Sequence, residues 1–227
     1  MSDHRSMVRV KYTDLLHFGL RIADEHQVAL GMVNHHHPFS ITEDEFAFIG
    51  NHVRSRGYRS AYEVATGFGV SAAAIGLGLQ ARGGKLLSVD AYIEEAMGHA
   101  SAYRGRRREC HHGSDGMRIA EQLRAHFGLT DTVEFRVGWS PDDIPHLLGE
   151  RTLDFAFIDG GHFEHQVLAD VEVIRDRMVP PFTVMLHDTG AIAEPVLTAI
   201  RGWLGVPMVR PRLAHTYHLG MFEVLRR

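Results

Sequence analysis

The sequence predicts a doubly wound α/β fold: a seven-stranded sheet, its last strand antiparallel, behind an N-terminal helical cap. Three observations carry that expectation. Apolar runs of strand length alternate with helical segments from residue 60 onward, the pattern of a parallel sheet with right-handed crossovers. A glycine-containing turn, Ala65-Thr66-Gly67-Phe68-Gly69, joins the first run to the first helix. Two aspartates, Asp159 and Asp188, each close a later run and are each followed at once by Gly or Thr-Gly. In open parallel sheets the carboxyl ends of strands line the ligand crevice, so both carboxylates are expected to face one pocket.

The elements follow in order. Residues 1–57 read as a cap, lid or dimerisation element, and 58–227 as the sheet domain. Leu15, Leu16, Phe18, Ile22, Val28 and Leu30 fall at helical spacing,. Thr42 precedes Glu43, Asp44 and Glu45, an N-cap with acids in the first turn. Strands are expected at 61–65, 85–90, 132–137, 153–159 and 182–188, with helices at 71–84, 116–127, 142–149, 163–178 and 191–204. Short segments at 206–210 and 214–225 complete the sheet, with His-Leu-Gly-Met-Phe-Glu-Val as its antiparallel strand. The stretch 91–115 is irregular and carries Arg104, Arg106, Arg107 and Arg108. It reads as a solvated basic face or a substrate lid.

Composition narrows the function classes. The 227-residue chain has a formal charge of −4, which gives no push toward nucleic acid or an anionic membrane. Cys110 is the only cysteine, which suits a reducing cytosol. No apolar run approaches the roughly 20 residues of a membrane-spanning helix, and the polar N-terminus lacks a signal-peptide core. The expectation is a cytoplasmic protein acting on a small molecule, as a homodimer through its helical N-terminus.

The glycine turn carries the first chemistry. Glycines there allow tight turns and close ligand approach, and the helix behind offers backbone N–H groups. Asp90 closes the second strand about 20 residues on, where a carboxylate can accept from ribose hydroxyls. Strand, turn, helix and acid together indicate a nucleoside-containing cofactor. The dinucleotide spacing G-x-G-x-x-G is absent, and an acidic residue, Glu63, stands just before the turn.

Glu63-Val-Ala-Thr-Gly-Phe-Gly resembles the first motif of the class I S-adenosylmethionine-dependent methyltransferases, a Rossmann-like family, with Ala65 in place of the first glycine. A residue with a Cβ is expected to hold φ below zero there or be strained. The resemblance implies cofactor contacts from Glu63, Ala65, Thr66, Gly67 and Gly69 and ribose binding by Asp90. It also implies an adenine site at Gly138-Trp139-Ser140, with Trp139 over the ring or in the core.

Phe-Ile-Asp159-Gly-Gly-His162 and Met-Leu-His187-Asp188-Thr-Gly resemble the cation-dependent small-molecule O-methyltransferases, the macrocin and cephalosporin-tailoring branch. That resemblance implies Asp159 and Asp188 as metal ligands, His187 as ligand or base, and His162 as catalytic base. A divalent cation lowers the pKa of a bound hydroxyl. Hard carboxylates suit Mg²⁺, while an added imidazole makes Mn²⁺, Fe²⁺ or Zn²⁺ eligible. The simpler readings are a turn with an Asp cap at Asp159 and a satisfied core histidine at His187. Either would suit metal-independent methyl transfer, other chemistry on the same fold, or a binding protein without turnover.

Overall fold

The structure is a computed structural model that describes residues 41–91, 113–161, 163–214 and 219–225. His162, the histidines at 35–37, Tyr92, Tyr103, the 104–108 arginines and the helix expected near 15–30 lie outside the described residues.

Helix α1 (Glu43–Arg56) starts at a reciprocal capping box. The Thr42 hydroxyl accepts from the Glu45 N–H at 3.2 Å, and Glu45 Oε2 accepts from the Thr42 N–H at 2.9 Å. Two otherwise orphaned donors are thus satisfied at the first turn. Gly57, at φ 72, ends the helix in the left-handed conformation,. Helix α2 (Val70–Gln80) packs beside α1, and its small residues set the approach. A Cβ on Gly78 would lie 2.7 Å from the Gly50 carbonyl oxygen and 2.8 Å from Val53 Cβ.

The remaining elements are β1 (Ser60–Val64), β2 (Lys85–Asp90), α3 (Gly113–His126), β3 (Val133–Val137), α4 (Ile144–Leu148), β4 (Leu153–Ile158), α5 (Glu164–Arg175), β5 (Met178–Leu186), α6 (Glu194–Leu204), β6 (Met208–Val209) and β7 (Gly220–Val224). The seven strands form one sheet in the order β3-β2-β1-β4-β5-β7-β6. β1 to β5 run parallel, and β7 pairs antiparallel with β5 and β6. The doubly wound fold and the reversed end of the sheet match the sequence expectation.

Alternation along the strands sorts two cores. Leu86, Phe155, Phe157 and Met185 join Phe46, Ile49 and Val53 of α1, with Ile75 of α2 and Ile119 and Leu123 of α3, on one face. Leu87, Ala156, Ile158 and Val184 join Ile144, Val171 and Ile200 of the other three helices on the opposite face. Helix α1 is therefore part of the sheet's own core.

Several boundaries differ from expectation, and those around β5 and α6 have clear causes. β5 begins at Met178, four residues before the expected Phe182, and runs through Pro180 and Pro181. Prolines have no N–H to donate, and β7 pairs with β5 only from Phe182 onward, so the prolines occupy an edge-like stretch where none is needed. α5 correspondingly stops at Arg175. α6 starts at Glu194, with proline in its first turn,.

Candidate active site

The strand ends converge at one edge. In register, Val89 lies beside Val64, Val64 beside Ile158, and Ile158 beside Leu186. One residue further, the ladder continues from Ala65 N to Val89 O, Asp159 N to Val64 O and His187 N to Ile158 O. Asp90, Ala65, Asp159 and His187 are thereby placed side by side along the carboxyl edge. The strand order reverses between β1 and β4, the switch point at which such sheets bind ligands.

The β1–α2 turn is built from left-handed residues: Ala65 at φ 73, Gly67 at φ 52 and Gly69 at φ 80. Of the two expected outcomes at Ala65, a negative φ or strain, the structure shows the second. The turn keeps the conformation a glycine would adopt, and the alanine Cβ bears a cost of about 1–2 kcal/mol. Gly69 is constrained twice, since a Cβ there would also sit 2.9 Å from Ala120 Cβ. The Gly67 N–H donates to Asp90 Oδ2 at 2.8 Å, so the acid at the end of β2 also ties down the turn.

Glu63 and Thr66 are both buried beneath the turn. Glu63 is fully buried. It accepts a hydrogen bond from the Ser88 hydroxyl, which also lies 2.6 Å from Thr66 Oγ1. Burial pushes the Glu63 carboxyl up to about 8, with hydrogen bonds from Ser71 and Ser88 holding it back only in part. The motif's acid is thus a neutral prop for the turn at ordinary pH.

Trp139 is half-buried and its N–H donates to Asp143 Oδ2 at 2.7 Å. The Ser140 hydroxyl turns inward and donates to Asp170 Oδ1 at 2.6 Å. Gln166 Nε2 donates to the Ser140 carbonyl at 2.7 Å and to Asp170 Oδ1 at 3.1 Å. Burial pushes Asp170 up to about 6. This cluster fastens the 138–140 turn to α5, which follows the Asp159 turn. Asp170 and Gln166 were not singled out in the sequence, where they read as ordinary polar residues of a helix.

His187 is the hub of the remaining group. Asp159, His187 and Asp188 offer ligand atoms that all lie within 4.8 Å of one another. His187 Nδ1 is 3.1 Å from Asp159 Oδ1 and 3.6 Å from Asp188 Oδ1, and its Nε2 is 3.3 Å from Glu45 Oε2. The ring is almost wholly enclosed. Burial alone would lower its pKa, but the Asp159 charge and contacts with Asp159, Asp188 and Glu45 outweigh it and push the imidazole well above its usual range. Asp188 holds φ 49, a left-handed conformation that aspartate tolerates better than most residues.

The donor set fits a divalent cation. Two carboxylate oxygens and an imidazole nitrogen converge, and a third carboxylate, Glu45, holds the ring's far nitrogen,. An imidazolium has no free lone pair, so His187 could act as base or ligand only after Nδ1 gives up its proton, which a bound cation would displace. Glu45 is the site residue that the sequence left unassigned. Its T-x-x-E signature showed the cap, and nothing local showed a partner 142 residues away.

Among known proteins, a family model described as a methyltransferase domain matches residues 63–189. No curated protein sequence matches the chain. The fold is similar to an O-methyltransferase from Bacillus cereus, solved with SAH. That match has a TM-score of 0.63 and 16% identity over 94% of this chain and 91% of that one. It is also similar to the O-methyltransferase TomG of Streptomyces achromogenes, involved in tomaymycin synthesis and solved with SAM. There the TM-score is 0.60, at 15% identity over 97% of this chain and 88% of that one. A methyltransferase from Geobacter sulfurreducens gives a TM-score of 0.61 at 14% identity, covering 93% of this chain and 88% of that chain.

Proposed function

The chain belongs to the methyltransferase-domain family and is an S-adenosylmethionine-dependent methyltransferase; we propose that it methylates a hydroxyl oxygen of a small molecule with the help of a divalent cation. One observation carries the finer reading. Asp159, His187 and Asp188 converge one or two residues past β4 and β5, on the same edge as the glycine turn and Asp90. Donor and acceptor sites would then face each other across the switch point.

The roles divide by position. The β1–α2 turn and Asp90 hold the cofactor, with Asp90 accepting from its ribose hydroxyls. Trp139 borders the adenine. Asp159 and Asp188, with His187 Nδ1, hold the cation, Mg²⁺ or Mn²⁺ being the best fit to two carboxylates and one imidazole. When bound, the cation acidifies and aligns the acceptor hydroxyl. Transfer is an in-line displacement in which the oxygen takes the methyl group and the sulfonium leaves as a neutral thioether. Alignment supplies much of its rate. The proton released passes to a base, the role that the resemblance gives to His162. A natural product or sugar is the acceptor class that the resemblance to the small-molecule O-methyltransferases favours, and a homodimer is the expected assembly.

The test is S-adenosylhomocysteine formation against a panel of small hydroxyl acceptors, with and without EDTA. Loss of turnover in EDTA, restored by Mg²⁺ or Mn²⁺, is expected. Full turnover in EDTA would transfer the reading to a metal-independent mechanism.

A further inference from the structure

We infer that Glu45, on the N-terminal helix and outside the family-matched region, is a positioning residue of the site: it grips His187 Nε2 so that Nδ1 faces Asp159 and Asp188. The consequence for cation binding rests on the divalent-cation reading; the grip itself does not.

Three features support this role. The first is placement. Glu45 is fully buried, and a carboxylate is seldom buried without a partner that needs it. Its Oε2 lies 3.3 Å from His187 Nε2 and accepts from the Thr42 N–H at 2.9 Å. The capping box therefore fixes the same oxygen that meets the imidazole. The second is division of the ring. With Nε2 directed to Glu45, Nδ1 is directed to Asp159 and Asp188, at 3.1 and 3.6 Å. A histidine ligand is oriented by the bond its other nitrogen makes. The third is the rigidity of the support. α1 is packed on α2 through Gly78, and its far end is anchored to the sheet. His52 Nε2 lies 3.1 Å from Thr183 Oγ1, the Tyr58 hydroxyl 2.7 Å from the same oxygen, and Arg56 pairs with Glu223 at 2.6 Å. Thr183 and Glu223 pair across β5 and β7. The helix that brings Glu45 is thus latched to the very strand, β5, that brings His187.

The cap complicates a simple deletion, because Glu45 also stabilises α1. Three variants separate the roles. Thr42→Ala removes the other half of the capping box and spares the Glu45 carboxylate. Glu45→Met keeps the side-chain length but cannot accept. Glu45→Gln restores an accepting oxygen. In metal-free protein with ¹⁵N-labelled histidine, the His187 Nε2–H resonance is read, assigned by its loss in His187→Asn. Wild type and Thr42→Ala are expected to show it downfield and slow to exchange. Glu45→Met is expected to lose it, and Glu45→Gln to recover it in part. An unchanged resonance in Glu45→Met would overturn the assignment.

Mn²⁺ binding to each variant, read by paramagnetic resonance, gives the second arm. Glu45→Met is expected to weaken affinity by about 10–100-fold, with Thr42→Ala near wild type. Equal weakening in the two would reduce Glu45 to a cap and overturn the proposal. If wild type binds no Mn²⁺, the cation reading fails, and the resonance arm alone decides whether Glu45 holds His187.

Discussion

Replacing Glu63 by Gln should make the protein more stable at alkaline pH and flatten its stability profile. The carboxyl is fully buried at the end of β1, and its pKa is raised to about 8. The unfolded chain loses this proton near pH 4.5, the usual glutamate value. Between those limits the native state binds more protons than the unfolded state, so stability falls as pH rises. The penalty is absent below the unfolded pKa and complete above the folded one. Over pH 6.5 to 8.5 those two values give a loss of about 2 kcal/mol. Glutamine is nearly isosteric, still accepts from Ser88, and carries no charge to desolvate. The assay is urea unfolding of cofactor-free protein at half-unit steps across this window. Wild type should lose about 1 M in midpoint relative to Glu63→Gln, taking a urea slope near 2 kcal/mol/M. Asp170, raised only to about 6, and His52, lowered to about 4, titrate below this window; His187, raised by its carboxylate neighbours, loses stability within it as the unfolded imidazole deprotonates, but equally in both proteins, so the loss cancels in their difference,. Parallel curves for the two proteins above pH 6.5 would refute the neutral-prop account of Glu63.

Three further outcomes are expected. Asp159→Asn and Asp188→Asn should each cut Mn²⁺ affinity and turnover by at least about 100-fold while leaving S-adenosylhomocysteine binding within a few-fold, by calorimetry; a selective loss of cofactor affinity would contradict the ligand roles. Gly69→Ala should destabilise by about 2–5 kcal/mol, combining left-handed strain with the clash against Ala120,. Gly83→Ala, at φ 63 with nothing near its added Cβ, should cost no more than about 1–2 kcal/mol, so equal losses in denaturant would remove the clash from the argument. Asp90→Ala should weaken S-adenosylhomocysteine binding about 10-fold or more, because it removes both the ribose acceptor and the partner of the Gly67 N–H,; unchanged affinity would count against both.

The fold was legible because its signals are local. Val-Glu-Phe-Arg-Val and Leu-Asp-Phe-Ala-Phe-Ile declare strands through their own residues, and Thr42 with Glu45 declares a helix start within four positions. Boundaries slipped where a tertiary partner decides them. Pro180 and Pro181 look like a loop before β5, yet they join the strand because β7 does not reach them. At Ala65 the sequence left a choice between a negative φ and strain, and the surrounding turn decides it by imposing φ 73. There the Ala65 N–H still donates to Val89 O, and the Gly67 N–H donates to Asp90.

The site was legible to the extent that it sits on strand ends. Asp159 and Asp188 could be placed in one crevice because the carboxyl edge of a parallel sheet is a fixed address in sequence. What that address does not contain is orientation. A histidine beside two aspartates is a ligand, a base or a core residue according to what holds its second nitrogen. For His187 that atom belongs to Glu45, 142 residues earlier. The same carboxylate closes the first turn of its own helix, so its local pattern is already accounted for by the cap. A residue with a complete local explanation hides a long-range one. The burial of Glu45 exposes the difference: a cap alone works as well at the surface, where its carboxylate keeps its hydration, whereas a carboxylate at 0% exposure implies a second partner strong enough to offset desolvation. The imidazole of His187 is one such partner, which ties the carboxyl edge of the sheet to a helix that precedes the matched domain.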